Sequence, residues 1–132
     1  MDRVFLDANV LFSAAYSEGN SLLRFWCLPR IALLTLPYAM DEARRNLRGT
    51  GQLERLDALV VPIEKVPTMS SQPLIIELPT KELPTKDEPI FRGALAGRAT
   101  HLITGDVQRF GAFFDKAVTG IWVLRPAAYL KR

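Results

Sequence analysis

The chain has 132 residues, 48% hydrophobic and 23% charged, which suits one globular domain with a sizeable core and leaves no room for a second. Its 17 basic and 14 acidic residues give a formal charge of +3 and a pI of about 9.3, a balance that allows polyanionic partners without demanding them. The single Cys27 excludes an internal disulfide, and with only His101 beside it a zinc cage of sulfur and imidazole is out of reach, so a metal here would be held by oxygen.

Val4-Phe5-Leu6 is a short apolar run that stops at Asp7, the pattern of a buried parallel strand with an acid at its carboxyl end. Asn9 is expected to cap the helix that continues through Val10-Leu11-Phe12-Ser13-Ala14-Ala15. Ser17 to Ser21 forms a turn, after which Asn20 or Ser21 caps a short helix ended by Pro29. Ile31 to Leu36 is a second buried strand between two prolines, and a helix follows from Tyr38 with Glu42, Arg44, Arg45 and Arg48 off its apolar stripe. Gly49 and Gly51 close that helix, Gln52 to Leu59 makes another, and Val60-Val61-Pro62-Ile63 predicts a strand that its proline confines to an edge or to irregular geometry. From Pro67 to Pro84 four prolines break any long helix; Leu74-Ile75-Ile76 suits a short strand or packed turn, and the near repeat of residues 77–81 and 82–86 reads as loop.

Asp87-Glu88-Pro89 opens a helix in which Asp87 caps, and His101-Leu102-Ile103-Thr104 is a strand that ends in Gly105-Asp106. Ile121 to Leu124 is the last strand, followed by a short helical tail. Strands that alternate with helical stretches predict an α/β, doubly wound, mostly parallel sheet of about five strands with helices on both faces. The start at Met1 runs into the first strand without a leader-like segment, and no run of about 18 apolar residues occurs, so a cytoplasmic protein outside the membrane is expected.

Asp7 and Asp106 stand at the carboxyl ends of strands, where ligands bind in open α/β sheets. Glu42 and Asp87 are placed to join them. Each alone has an ordinary structural role as a cap, a turn former or an exposed helix acid. Together, Asp7-Ala8-Asn9-Val10-Leu11, Glu42 with Arg45-Asn46-Leu47, Lys86-Asp87-Glu88-Pro89-Ile90, and Thr104-Gly105-Asp106 with Phe110-Gly111 resemble the PIN domain family in order over nearly the whole chain. The resemblance is nearest to small prokaryotic PIN proteins, many of them VapC-like toxins of type II toxin–antitoxin modules.

The resemblance implies one PIN-like domain over residues 1–132 and a metal-dependent endoribonuclease, its acidic site carried by Asp7, Glu42, Asp87 and Asp106 and supported by Asn9 and Thr104. Asp7, Asp87 and Asp106 would be direct or water-mediated metal ligands, with Glu42 either a ligand or the group that orients the attacking water. An RNA substrate, a cognate antitoxin protein and a homodimer are implied with it. Some relatives carry a further acid beyond the position of Asp106, where this chain has Val107-Gln108-Arg109-Phe110, which puts a second metal ion in doubt. Independently of the family, clustered carboxylates repel one another at neutral pH and need cations, and hard oxygen donors favour Mg²⁺ or Mn²⁺.

Cations for an RNA backbone are expected from Arg44, Arg45, Arg48, Lys86 and Arg109, with Lys81, Arg92 and Arg98 nearby in sequence. Trp26, Phe110, Phe113 and Phe114 are assigned to burial rather than to base stacking, and Cys27 and His101 to core or strand-edge positions. The second reading is a catalytically silent PIN-like module that holds RNA or a protein. Against it, none of the four acids is replaced. A phosphoacceptor regulator built on Asp7 would need a second acid beside it and a late lysine, but Arg125 stands after the last strand.

Overall fold

The structure, a computed structural model, describes residues 1–67 and 88–131. Its centre is β1 (Asp2–Leu6), flanked in parallel by β2 (Ile31–Thr35) on one side and β4 (His101–Ile103) on the other. The two-residue strand β3 (Glu64–Lys65) pairs with β2, and β6 (Ile121–Leu124) pairs with β4, both in parallel. An antiparallel hairpin adds β5 (Lys116–Val118), so among the described residues the sheet has six strands in the order β3-β2-β1-β4-β6-β5. Winding outward from β1 to β3 and then crossing to β4 places the topological switch between β1 and β4, where such sheets bind ligands beyond the strand ends.

Both faces of the sheet are covered. Val4, Phe5 and Leu6 have no exposed surface although successive strand side chains point to opposite faces. Helix α4 (Glu88–Ala96) covers the side of Phe5 and Leu34, where Gly93 and the following Gly97 let its backbone approach. Helices α1 (Ala8–Tyr16), α2 (Pro37–Asn46) and α3 (Thr50–Val60) pack on one another, and α5 (Val107–Phe110) and α6 (Pro126–Leu130) are short. No helix among the described residues is long and apolar enough to cross a membrane.

Several expectations shift. The cap of α1 is Asp7 rather than Asn9: the Asp7 Oδ1 accepts from the Ala8 N–H at 2.7 Å, and Asn9 lies within the first turn. The segment Ser21–Cys27 is a 3₁₀ helix, capped by Asn20 as one of the two candidates, whose Oδ1 accepts from Leu22 N at 3.0 Å. Helix α3 runs through Val60 because the turn to the edge strand is made by Val61 and Pro62, which displaces the expected strand to Glu64–Lys65. The missing strand β5 is announced only by Thr119-Gly120, a two-residue turn with φ of 49° and 85°, both in the left-handed region that tight hairpins require. Cys27 is exposed, whereas His101 is buried with Nδ1 2.7 Å from Thr100 Oγ1. Phe110 and Phe113 are buried as expected, and Trp26 is half-buried, its indole N–H donating to the Leu59 carbonyl at 2.8 Å. Leu74-Ile75-Ile76, the near repeat and Asp87 as a helix cap lie outside the described residues.

Gly97 fixes how closely α4 meets the sheet. A Cβ there would stand 2.7 Å from Val66 Cγ2 and 3.0 Å from Leu34 Cδ2, both on buried side chains, and the β-branched Val66 has little freedom to turn away. Gly97→Ala should therefore destabilise the protein by about 1–3 kcal/mol through overpacking, read as a lower urea midpoint with an unchanged slope.

Candidate functional site

The switch between β1 and β4 brings two chain segments, nearly a hundred residues apart, into one hydrogen-bonded unit. Leu6 stands in register with Ile103, and the ladder extends one step further through Asp7 N donating to the Ile103 carbonyl at 3.1 Å. Asp7 thus leaves β1 directly beside Thr104. The Thr104 hydroxyl donates to Asp7 Oδ2 at 2.8 Å and accepts from Asn9 Nδ2 at 3.1 Å and from the Asp106 N–H at 3.2 Å. These three bonds use the donor and both acceptor positions of a hydroxyl.

Asn9 completes the unit from α1. Its Nδ2 also approaches Asp7 Oδ2 at 3.3 Å, and its Oδ1 accepts from Gly105 N at 2.9 Å, so one side chain locks the start of α1 to the loop after β4. Asp7 is 5% exposed and Thr104 not at all, while Asn9 and Asp106 are intermediate. A buried carboxylate demands donors, and Asp7 has them from Ala8, Thr104 and Asn9. The same acid is cap of α1 and anchor of the site.

Glu42 arrives from the other side of β1. Helix α2 begins with Pro37 in its first turn, suited to a position that needs no amide donor. Glu42 lies in the second turn, and Asp7, Ala8, Asn9, Phe12, Glu42, Asn46 and Asp106 together line a cleft of ≈ 330 Å³. Asn46, one turn beyond Glu42, donates from Nδ2 to the Glu42 carbonyl at 2.9 Å.

Of the acids singled out in the sequence, Asp7, Glu42 and Asp106 are therefore brought to one cleft, with Asn9 on its wall and Thr104 behind it. Asp87 and Lys86 lie outside the described residues. Among the cations, Arg44 is turned to α3, where it pairs with Asp57, while Arg45 and Arg48 are exposed. Arg109 follows Asp106 in α5. Phe12 and Asn46 were not singled out as site residues; their signal was spacing, with Phe12 three positions after Asn9 and Asn46 four after Glu42, each pair on one helix face.

The donor set is chemically uniform. Carboxylates and carboxamides line the cleft, with no thiol or imidazole, which suits a hard divalent cation over a soft one. Among the described residues no three His, Cys, Asp or Glu side chains converge closely enough to hold a metal ion, so these three acids do not by themselves form a closed cage.

No family model matches the sequence, and no curated protein matches it. The structure, in contrast, superposes on a chain of the crystal structure of VapBC2 from Rickettsia felis bound to a DNA fragment from their promoter. The TM-score is 0.70, with 15% sequence identity, over 93% of this chain and 98% of that one. At that identity the likeness is one of fold, and it agrees with the VapC-like PIN architecture that the sequence motifs resemble.

Thr104→Val keeps the shape of the buried side chain and removes the hydroxyl that serves Asp7, Asn9 and Asp106. With a buried carboxylate oxygen deprived of its short bond, the variant should lose about 1–3 kcal/mol of stability, measured by equilibrium urea unfolding against the wild type.

Proposed function

We propose that the protein is a VapC-like PIN-domain endoribonuclease, which hydrolyses RNA phosphodiester bonds with Mg²⁺ or Mn²⁺ and serves as the toxin of a type II toxin–antitoxin pair in the cytoplasm. The observation that carries this reading is the meeting of Asp7, Glu42 and Asp106 on one cleft at the switch point of the sheet. Asp7 also caps α1, but three carboxylates from three separate stretches of chain facing one cleft make an oxygen-donor set of the kind that metal-assisted phosphodiester hydrolysis uses.

Asp7, Glu42 and Asp106 would hold the cation, with Asp87 as the fourth acid that the sequence assigns. When bound, a divalent ion there supplies the positive charge that admits an RNA phosphate among carboxylates and brings water deprotonation toward neutral pH. The chain itself supplies positioning. Asp7 is fixed by the Ala8 N–H, the Thr104 hydroxyl and the Asn9 amide, so its orientation costs no reorganisation when substrate enters. Glu42, on a regular helix, either holds the cation or orients the attacking water. Arg45, Arg48, Lys86 and Arg109 are the proposed backbone contacts. Arg44, paired with Asp57, contributes only where that exposed pair opens.

A cognate antitoxin protein and a homodimer belong to the same proposal. The fold likeness to a chain of a VapBC2 structure supports the antitoxin.

The test is incubation of purified, partner-free protein with mixed structured and unstructured RNAs in Mg²⁺ or Mn²⁺, beside EDTA and an Asp7→Asn variant. Cleavage should stop in EDTA. It should fall in Asp7→Asn by more than the ~10–100-fold that loss of a supporting group beside a metal typically costs, while the variant stays folded by circular dichroism. Absence of metal-dependent cleavage by folded protein across the RNA set would overturn the nuclease reading in favour of a silent binding module.

A further inference from the structure

One length of sheet edge has no strand beside it among the described residues. β2 pairs with β1 from Ile31 to Leu34, but its outer neighbour β3 is in register only with Leu34 and Thr35. The Val66 N–H donates to the Thr35 carbonyl at 2.8 Å, so Thr35 turns its backbone groups away from β1, and by the two-residue alternation of a strand Leu33 and Ile31 do the same. β3 begins too late to serve both backbone groups of Ile31 or the Leu33 N–H. Backbone groups of this kind need hydrogen-bond partners.

The outermost strands of the sheet are guarded. β3 consists of Glu64 and Lys65, and β5 at the far side carries Lys116; charges on an edge strand discourage a further strand from pairing with it. Ile31-Ala32-Leu33 has no charge, proline or glycine, and its residues are half-buried. Beside it lies a cavity of ≈ 290 Å³ walled by Trp26, Leu28, Leu33 and Pro62. Trp26 is held in place by its bond to the Leu59 carbonyl, so this wall is formed in advance. Leu28 and Ile31 also line a second cavity, of ≈ 400 Å³, at the amino ends of β1 and β2. Its charged side chains are Asp2, which accepts from the Tyr129 hydroxyl at 2.7 Å, and Arg30, which meets no acid among the described residues. Arg24, which donates to the Leu130 carbonyl of that cavity at 3.4 Å, and the neighbouring Lys131 also meet none there. The charge around this end of the edge is therefore predominantly positive.

We infer that the edge of β2 over Ile31–Leu33 is a docking site for an extended peptide of a partner protein. The peptide adds a strand there, seats an apolar side chain in the cavity between Trp26, Leu33 and Pro62, and sets acidic residues beside Arg30. Main-chain bonds supply the affinity in this mode of recognition, while the cavity and the charge select the sequence. The register of Asp2 with Ile31 places the site at the opposite end of β1 from Asp7, so it does not rest on the nuclease reading.

The probe is a short labelled peptide of alternating valine and threonine with an aspartate and a glutamate at one end, made in both chain directions. Its binding to the full chain is read by fluorescence anisotropy and by amide hydrogen exchange at Ile31 and Leu33. Both amides should exchange readily in the protein alone and become protected at saturating peptide. N-methylation of alternate peptide residues separates strand addition from simple apolar contact, because only one phase of the alternation removes donors that face β2. Methylation in that phase should weaken binding ~5-fold or more for two lost donors, and in the other phase should leave it unchanged. Arg30→Gln, a change on an exposed side chain, should weaken binding ~2–5-fold, as loss of one exposed ion pair does. Equal affinity for both methylated forms, or amides that stay unprotected, overturns strand addition, and failure of both chain directions to bind overturns the site. Affinity unchanged in Arg30→Gln overturns the acidic character of the partner. Amides already protected in the peptide-free monomer overturn the proposal because the chain then covers its own edge; protection that rises with protein concentration, together with sedimenting mass, overturns it in favour of a second copy.

Discussion

The short bond from Thr104 to Asp7 is the constraint on which the site depends. It spans the switch of the sheet, where two parallel strands end side by side and their chains leave for different helices. Parallel pairing of β1 with β4 brings Asp7 and Thr104 together, but pairing alone would not decide where a carboxylate points. The hydroxyl decides it, and by also accepting from Asn9 and Asp106 it makes the orientation of one acid conditional on the path of the loop that carries another. Such a network is strong only when every member is satisfied, because a low local dielectric penalises each missing partner. Thr104, fully buried and with all three of its positions used, meets that condition.

Asp7 is both the cap of α1 and a wall of the cleft. The first amides of a helix lack partners and attract a carboxylate, whether or not it has any further task. At the end of β1 this places an acid where the sheet already directs ligands. The side chain is divided: Oδ1 serves the helix and Oδ2 faces Thr104 and Asn9. Under the proposed function, the role of Asp7 in the cleft does not compete with its role in the fold. The helix would lose a cap if the acid were lost, and the cleft would lose its most buried carboxylate.

Much of this was legible in the residues. Val4-Phe5-Leu6-Asp7 announced a central strand with a terminal acid because a strand buried on both faces cannot alternate, and Ile31 to Leu36 repeated the signal. Asp7, Glu42 and Asp106 could be grouped because acids at strand ends and one helix turn inward share a rim once the strands are parallel neighbours. What could not be read was which group serves which. Asp7 and Asn9 are both good caps, and only the register of β1 against β4 shows that Asn9 is needed by Gly105 and Thr104 instead. Strand β5 was missed because Lys116-Ala117-Val118 is too short and too polar to signal burial, its identity resting on the Thr119-Gly120 turn. Arg44 illustrates a further limit. Helical spacing puts it two residues from Glu42 and therefore on another face, but its partner, Asp57, belongs to a helix whose packing angle no local pattern specifies.

The two ends of the sheet divide the work. At the carboxyl ends Asp7 and Asp106 line one cleft with Glu42. At the amino ends the chain is tied by groups of opposite or complementary kind. Arg3 donates to the Gly97 carbonyl and pairs with Glu64, linking β1 to the end of α4 and to β3. Its backbone exchanges bonds with the Thr100 side chain, and Tyr129 from α6 donates to Asp2 at 2.7 Å. His101 is buried edge-on against the Tyr129 ring. Each of these contacts joins segments distant in sequence, and none involves the cleft. A sheet clamped at one end holds its strands in register at the other, which keeps Asp7 beside Thr104. The positioning of the acids is in this sense inherited from bonds made at the opposite end of β1, four residues from Asp7.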